Sequence, residues 1–249
     1  MSAPAIDDLP GFRRRVRVTP GPDRILSELE DDLHCMAVEL QHRDGLITRV
    51  RAEQDRAPWS TCAGAIGRVG ETLEGRTLAE VAGALGDKLA HCTHLYDLAV
   101  FGAAHAADRQ PLVYDILISD PIHGRRLSEL RRNGETVMAW AEQDDRLCEP
   151  EALAGLGLRD LRSWIEGLDP AAQEAAKLLR WGSMLARGRA LMTPQKTDPT
   201  GFPPNCHTLQ PQIARDARRV GEVREFSRGH ARPLDRRPAP AVPFPHRHD

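Results

Sequence analysis

The sequence predicts an α+β protein, an antiparallel sheet built from two hairpin groups with helices packed on it. Three observations predict it. Asp44-Gly45 and Asn133-Gly134 each separate two stretches of alternating apolar and polar residues, the pattern of a two-residue hairpin turn. Between them, Ile66, Val69 and Leu73, then Leu95 and Leu98, recur at helical spacing. Beyond the second hairpin, residues 158–168 and 170–191 read as helices that cover one side of the sheet.

Taken in order, Gly11 to Thr19 alternates Val16 and Val18 with arginines and reads as an edge strand. Arg13, Arg14, Arg15 and Arg17 on it suit either a solvated face or a phosphate or carboxylate ligand. After Pro20-Gly21-Pro22, Ile25 to His42 reads as one long strand, with alternation clearest at His34, Met36, Val38 and Leu40. Residues two apart share a strand face, so Asp32 and His34 are expected to point inward and Cys35 away. Leu46 to Glu53 returns as its hairpin partner. Pro58 ends that strand, Ser60 or Thr61 can cap a helix, and Cys62 then falls in the first turn, where the helix dipole would favour a thiolate. Thr77-Leu78-Ala79-Glu80 matches a capping box. The next helix opens with His91, Cys92, His94 and Asp97 and continues through Leu95, Leu98, Phe101 or Gly102, and His105. Pro111 to Ser119 alternates as a strand, followed by the Asn133-Gly134 hairpin. Asp169 can cap the long helix with Pro170 at its first position, and Leu178, Leu179, Trp181, Met184 and Leu185 are expected to fill core.

Composition narrows the function classes. The chain has 249 residues, 41% hydrophobic and 28% charged, enough for one sizeable core. A formal net charge of -2 gives no global basic field, so nucleic acid is not expected as a partner. No apolar run is long enough to span a bilayer and the first ten residues lack the pattern of a signal peptide, so no membrane partner and, by default, a cytoplasmic location are expected. Five widely spaced cysteines at 35, 62, 92, 148 and 206 fit free thiols or metal ligands better than a disulfide framework. No glycine-rich phosphate loop or nucleophile elbow is present.

Two resemblances follow from the motifs. Asp-Gly-Leu-Ile-Thr-Arg-Val-Arg, then Cys62-Ala-Gly-Ala-Ile, Leu-Glu-Gly-Arg-Thr-Leu-Ala-Glu-Val and Leu-Ala-His91-Cys92-Thr-His94-Leu resemble, over residues 30–107, the U-type iron–sulfur cluster scaffold proteins. Thr-Cys-Ala-Gly-Ala with Cys-Thr-His-Leu-Tyr-Asp-Leu resembles a bacterial family known only as a domain of unknown function. The scaffold resemblance implies that Cys62 and Cys92 stand at two cluster-binding cysteines and His91 at the accompanying histidine. The third cysteine and the aspartate of that family fall near Asp32 and His34, where this chain has no inward thiol. A set of Cys62, Cys92 and His94, completed by His34 or Asp32, suits zinc or mononuclear iron. Whether His91 or His94 is the ligand stays open.

The expected organisation is a single domain over residues 1–192, carrying the scaffold-like core at 30–107. A Pro/Arg-rich segment at 193–249 follows, partly docked over 209–226 and extended or disordered over 228–249. Cys206-His207 in that segment reads as incidental. Four functions are weighed. The first is a metal-dependent enzyme, an oxygenase or hydrolase for a small organic substrate, with iron or zinc activating oxygen or water and with His94 and Asp97 as candidate catalytic groups. The others are an iron–sulfur cluster or metal carrier, a haem protein with His94 as axial ligand, and a noncatalytic interaction domain with structural thiols. Haem and an iron–sulfur cluster rank behind a single ion, and a homo-oligomer stays open. The bland alternative is a buried His94 hydrogen-bonded to Asp97 or to backbone, beside two inert thiols.

Overall fold

A computed structural model describes residues 5–83, 88–189 and 198–237. The expected domain boundary near Met192 and the terminal His246 and His248 lie outside these residues. Eight antiparallel strands, β1 (Gly11–Pro20), β2 (Arg24–Asp31), β3 (Cys35–Arg43), β4 (Leu46–Arg56), β5 (Leu112–Ser119), β6 (Arg125–Arg132), β7 (Glu135–Gln143) and β8 (Arg146–Glu149), form a sheet in the order β4-β3-β2-β1-β5-β6-β7-β8. Helices pack on it, as the α+β reading expects. Both hairpin turns have positive φ at their two central residues, 53° and 80° at Asp44 and Gly45, and 49° and 91° at Asn133 and Gly134, the conformation that matches the twist of the flanking strands. By its contacts the chain divides into two compact units.

The unit formed by residues 16–112, 194–223 and 234–249 carries β2, β3, β4 and three helices, α1 (Ile66–Leu73), α2 (Leu78–Ala82) and α3 (Thr93–Ala104). The long strand expected from Ile25 to His42 is two strands. The Asp31 amide donates to the His34 carbonyl at 2.9 Å, and Asp31 Oδ1 accepts from the amides of Leu33 (2.7 Å) and His34 (2.8 Å), closing a tight turn. An aspartate that can bond its own downstream backbone is what an alternation pattern alone does not register. α3 lies on β2 through Gly102, where a Cβ would stand 2.4 Å from Ser27 Oγ. Its buried side is Leu95, Leu98, Ala99 and Gly102. The capping box at Thr77 and Glu80 forms as read.

The other unit, residues 1–15, 113–193 and 224–233, carries β5 to β8, α4 (Arg162–Glu166) and α5 (Pro170–Gly188). Of the Leu, Trp and Met set expected from sequence, Leu179 is fully buried and Met184 is exposed; the rest of the buried side of α5 is Ala175, Ala176, Gly182, Ser183 and Ala186. The reason is distance. A Cβ on Gly182 would stand 2.5 Å from Ile116 Cγ2, and Ser183 Oγ reaches Ser128 Oγ at 3.2 Å, so only small residues fit between helix and strand.

The arginines of β1 are not a solvated face. In this second unit Arg13 donates to the carbonyls of Ile6 (2.9 Å) and Leu9 (2.7 Å), and buried Arg14 lies over the Trp181 ring at 4.2 Å. Arg17, in the first unit, pairs with Glu28 at 2.7 Å. Long side chains on an interior strand bury their stems and find carbonyls, rings and carboxylates for their heads. In the same unit as Arg17, Leu234 is 2% exposed, its amide donates to Glu30 Oε2 at 2.6 Å, and Arg237 pairs with Glu53 and Asp55, each at 2.7 Å. The stretch from Arg228, which has no apolar periodicity, is therefore docked at these residues.

Candidate functional site

The turn between β2 and β3 and the first turn of α3 bring Asp31, His34 and His94 together. One ligand-type atom from each lies within 4.8 Å of the others, and all three side chains are buried. Asp31 Oδ1 meets His34 Nδ1 at 3.0 Å, and the His34 and His94 rings stack with centroids 4.0 Å apart at 29°. The turn is braced from β4: Arg56 Nη2 donates to the Asp31 carbonyl (2.6 Å), the His34 carbonyl (3.3 Å) and Glu30 Oε1 (3.0 Å). A register shift between Cys35 and Met36 in the β3–β4 pairing sits at the same end of the strands, a local twist of the kind found beside functional sites.

Of the residues singled out from sequence, His34 and His94 converge. Asp32 is buried next in sequence but stands outside this group; Asp31 supplies the carboxylate. The alternation that pointed to Asp32 assumed an unbroken strand, and the turn resets its phase. The signal for Asp31 was the Asp-x-x-His spacing at a point where the strand could break. Asp97 pairs with Lys88 Nζ at 2.6 Å, on the partly exposed side of α3.

Cys62 and Cys92 belong to a neighbouring set. Cys62 lies in a 3₁₀ turn, Ser60–Ala65, ahead of α1, and its amide already donates to the Trp59 carbonyl at 3.1 Å. It lies in the first turn of a helical stretch that runs directly into α1, as expected, with Trp59 rather than Ser60 or Thr61 at the cap position. Cys92 is the N-cap residue of α3 and makes no capping hydrogen bond. Burial pushes the Cys92 thiol up to about 12, and raises Cys62 as well. His91 turns away, its Nε2 3.3 Å from Thr72 Oγ1 and its ring 5.2 Å from that of Tyr96.

Two buried imidazoles and a carboxylate can hold a divalent ion or relay a proton. Stacked rings cannot both aim in-plane lone pairs at one ion, so one ring must turn. The chain matches no protein-family model and no curated protein. No helix among the described residues is long and apolar enough to cross a membrane.

Proposed function

We propose that the protein is a metal-dependent enzyme acting on a small organic substrate, with one iron or zinc ion held by Asp31, His34 and His94. The observation that supports this reading is the approach of three buried ligand atoms to within 4.8 Å of one another. The 3.0 Å between His34 Nδ1 and Asp31 Oδ1 is the separation of two neighbouring ligand atoms on an octahedral ion with bonds of about 2.1 Å, so an ion can replace the proton between them. Two imidazoles and one carboxylate are the set that suits iron with positions left open. Bound there, the ion would supply activation of water or oxygen. Arg56 holds the turn that carries two of the three ligands, and His94, in the first turn of α3, is the third.

Metal analysis of anaerobically purified protein, followed by titration of the chelated protein with Fe(II), tests the reading. The His34→Ala/His94→Ala double variant is expected to bind one equivalent fewer than the wild type with its circular dichroism unchanged. Equal stoichiometry and affinity in the two proteins would overturn it.

A further inference from the structure

The arginine run at the start of β1 suits a phosphate or carboxylate ligand, and three of its members, Arg13, Arg14 and Arg15, line a cavity of about 380 Å³. The cavity lies wholly within the unit formed by residues 1–15, 113–193 and 224–233, which does not hold the Asp31, His34 and His94 group.

α5 takes one face of this unit's strands. Arg14 lies over Trp181, Tyr114 Oη donates to Glu174 Oε1 at 2.8 Å, and Ile116 meets Gly182. Alternation therefore puts Arg13 and Arg15 of β1, Asp115 of β5 and Arg131 of β6 on the other face. There Asp115 stands directly opposite Arg131 in the β5–β6 register, and it accepts from Arg15 Nε at 2.7 Å and Nη2 at 3.1 Å. The stretch from Phe226 to Pro233 forms a further wall. It is tied to the start of β1 by the Gly11 amide, which donates to Ser227 Oγ at 2.9 Å, and it brings exposed His230 and Arg232 to the cavity.

We propose that this cavity binds a small organic molecule through an oxyanion, a phosphate or a carboxylate.

Three features support it. The first is charge: five arginines line the cavity against two carboxylates, Asp7 and Asp115. Even with Arg14 turned to Trp181, and with Arg131 divided between Asp7 and Glu129, cationic groups outnumber acidic ones. The second is unused bonding capacity. Arg15 spends two of its five N–H donors on Asp115, and the other three have no protein acceptor among the described residues. A guanidinium presents such donors as a planar fork that matches a carboxylate or phosphate edge, the pairing Asp115 already makes on the neighbouring side. The third is size. The volume falls near the lower end of small-ligand pockets, so it admits a compact ligand and exceeds what a bare phosphate needs. Arg13, fixed by the carbonyls of Ile6 and Leu9, adds a positive charge that needs no ordering when the ligand arrives.

Isothermal titration of the full chain with glycerol 3-phosphate and, separately, with succinate tests the proposal. Both are poor chelators, so a bound metal is not the readout. At least one is expected to bind at about one equivalent, and the preferred probe identifies the oxyanion as phosphate or carboxylate. Arg15→Gln is expected to weaken that binding about tenfold or more, the loss of a charge-assisted hydrogen bond. Arg162→Gln removes an arginine from an exposed pair with Glu166 on α4 and is expected to leave binding unchanged. Binding of neither probe, or an equal effect of the two substitutions, would overturn the site. Should Arg15→Gln not fold, Arg232→Gln, at an exposed position, decides in its place: weakened binding supports the site and unchanged binding overturns it.

Discussion

α3 and α5 are built to the same plan and begin in opposite ways. Each lies on the sheet through one glycine, Gly102 against Ser27 and Gly182 against Ile116. α5 starts with Asp169, whose carboxylate accepts from the amides of Ala171 and Ala172, both at 3.1 Å, and with Pro170 at the first helical position. Every choice there serves the helix. α3 starts with Cys92, which makes no capping hydrogen bond, then buries His94 in its first turn. A thiol is a poor helix starter and an imidazole poor core, and the metal reading proposed above gives His94 a use at that end of α3 that the fold alone does not require.

The largest effect is expected where each unit holds a buried carboxylate with one arginine. Glu30 is held by Arg56, and both side chains are nearly fully buried; Glu142 is held by Arg187, whose side chain is 34% exposed. Removing one partner of a buried pair strands a charge at about 3–5 kcal/mol, and solvent reduces that when the partner is open to it. Arg56→Ala should therefore cost several kcal/mol in chemical denaturation and loosen the Asp31–His34 turn, while Arg187→Ala should cost clearly less. Equal losses would show that the turn is not under special restraint.

Next comes the helix seat itself. Overpacking costs typically 1–3 kcal/mol, and an alanine in place of glycine returns up to about 1 kcal/mol of helix propensity. At Gly182 the obstacle is a branched Ile116 methyl in the core, whereas at Gly102 it is a serine hydroxyl that can rotate. Gly182→Ala is expected to lose about 2 kcal/mol and Gly102→Ala about 1 kcal/mol or less. The reverse order would mean that Ser27 is locked in place by α3.

What sequence showed of this contrast, and what it hid, has a physical basis. Both hairpins were legible because Asp-Gly and Asn-Gly demand positive φ, and the Thr77 box because capping is local. The Asp31 turn was hidden because its signal is a side chain bonding its own backbone inside an alternating run. The inward side of α5 was read correctly only at Leu179, because large apolar residues mark core only when there is room, and the close approach at Gly182 removes it. His34 and His94 were found by residue type. Asp31 was missed by one position. Leu234 was missed because a single anchored leucine leaves no pattern.

The caps give a smaller effect. Asp169→Ala should lower stability by about 1 kcal/mol, since two start amides of α5 lose their acceptor. Cys92→Ala removes no capping bond from α3, so its cost should follow from lost packing alone. A stability loss at Cys92 that disappears on metal removal would instead identify the thiol as a ligand.

The smallest expected effect is a pH dependence at the start of α2, whose capping box includes a glutamate. Glu80 Oε2 accepts from the Thr77 amide at 2.7 Å and from Thr77 Oγ1 at 2.9 Å, and these bonds to the charged form hold its pKa below the ordinary value of 4.5. A carboxylate whose folded pKa is depressed contributes fully above its unfolded value, and the contribution is lost as pH falls through the folded one. The side chain is fully exposed, so the effect is local. Amide exchange at the start of α2 should thus be slow near neutrality and quicken, relative to the intrinsic rate, as pH drops below about 4.5. In Glu80→Gln the neutral amide still accepts the Thr77 bonds but cannot titrate, so the protection should be weaker and flat across the same range. α3, which has no capping carboxylate and no acidic residue in its first turn, serves as the internal reference in the same samples. A matching pH response in Glu80→Gln would place its origin elsewhere than the box.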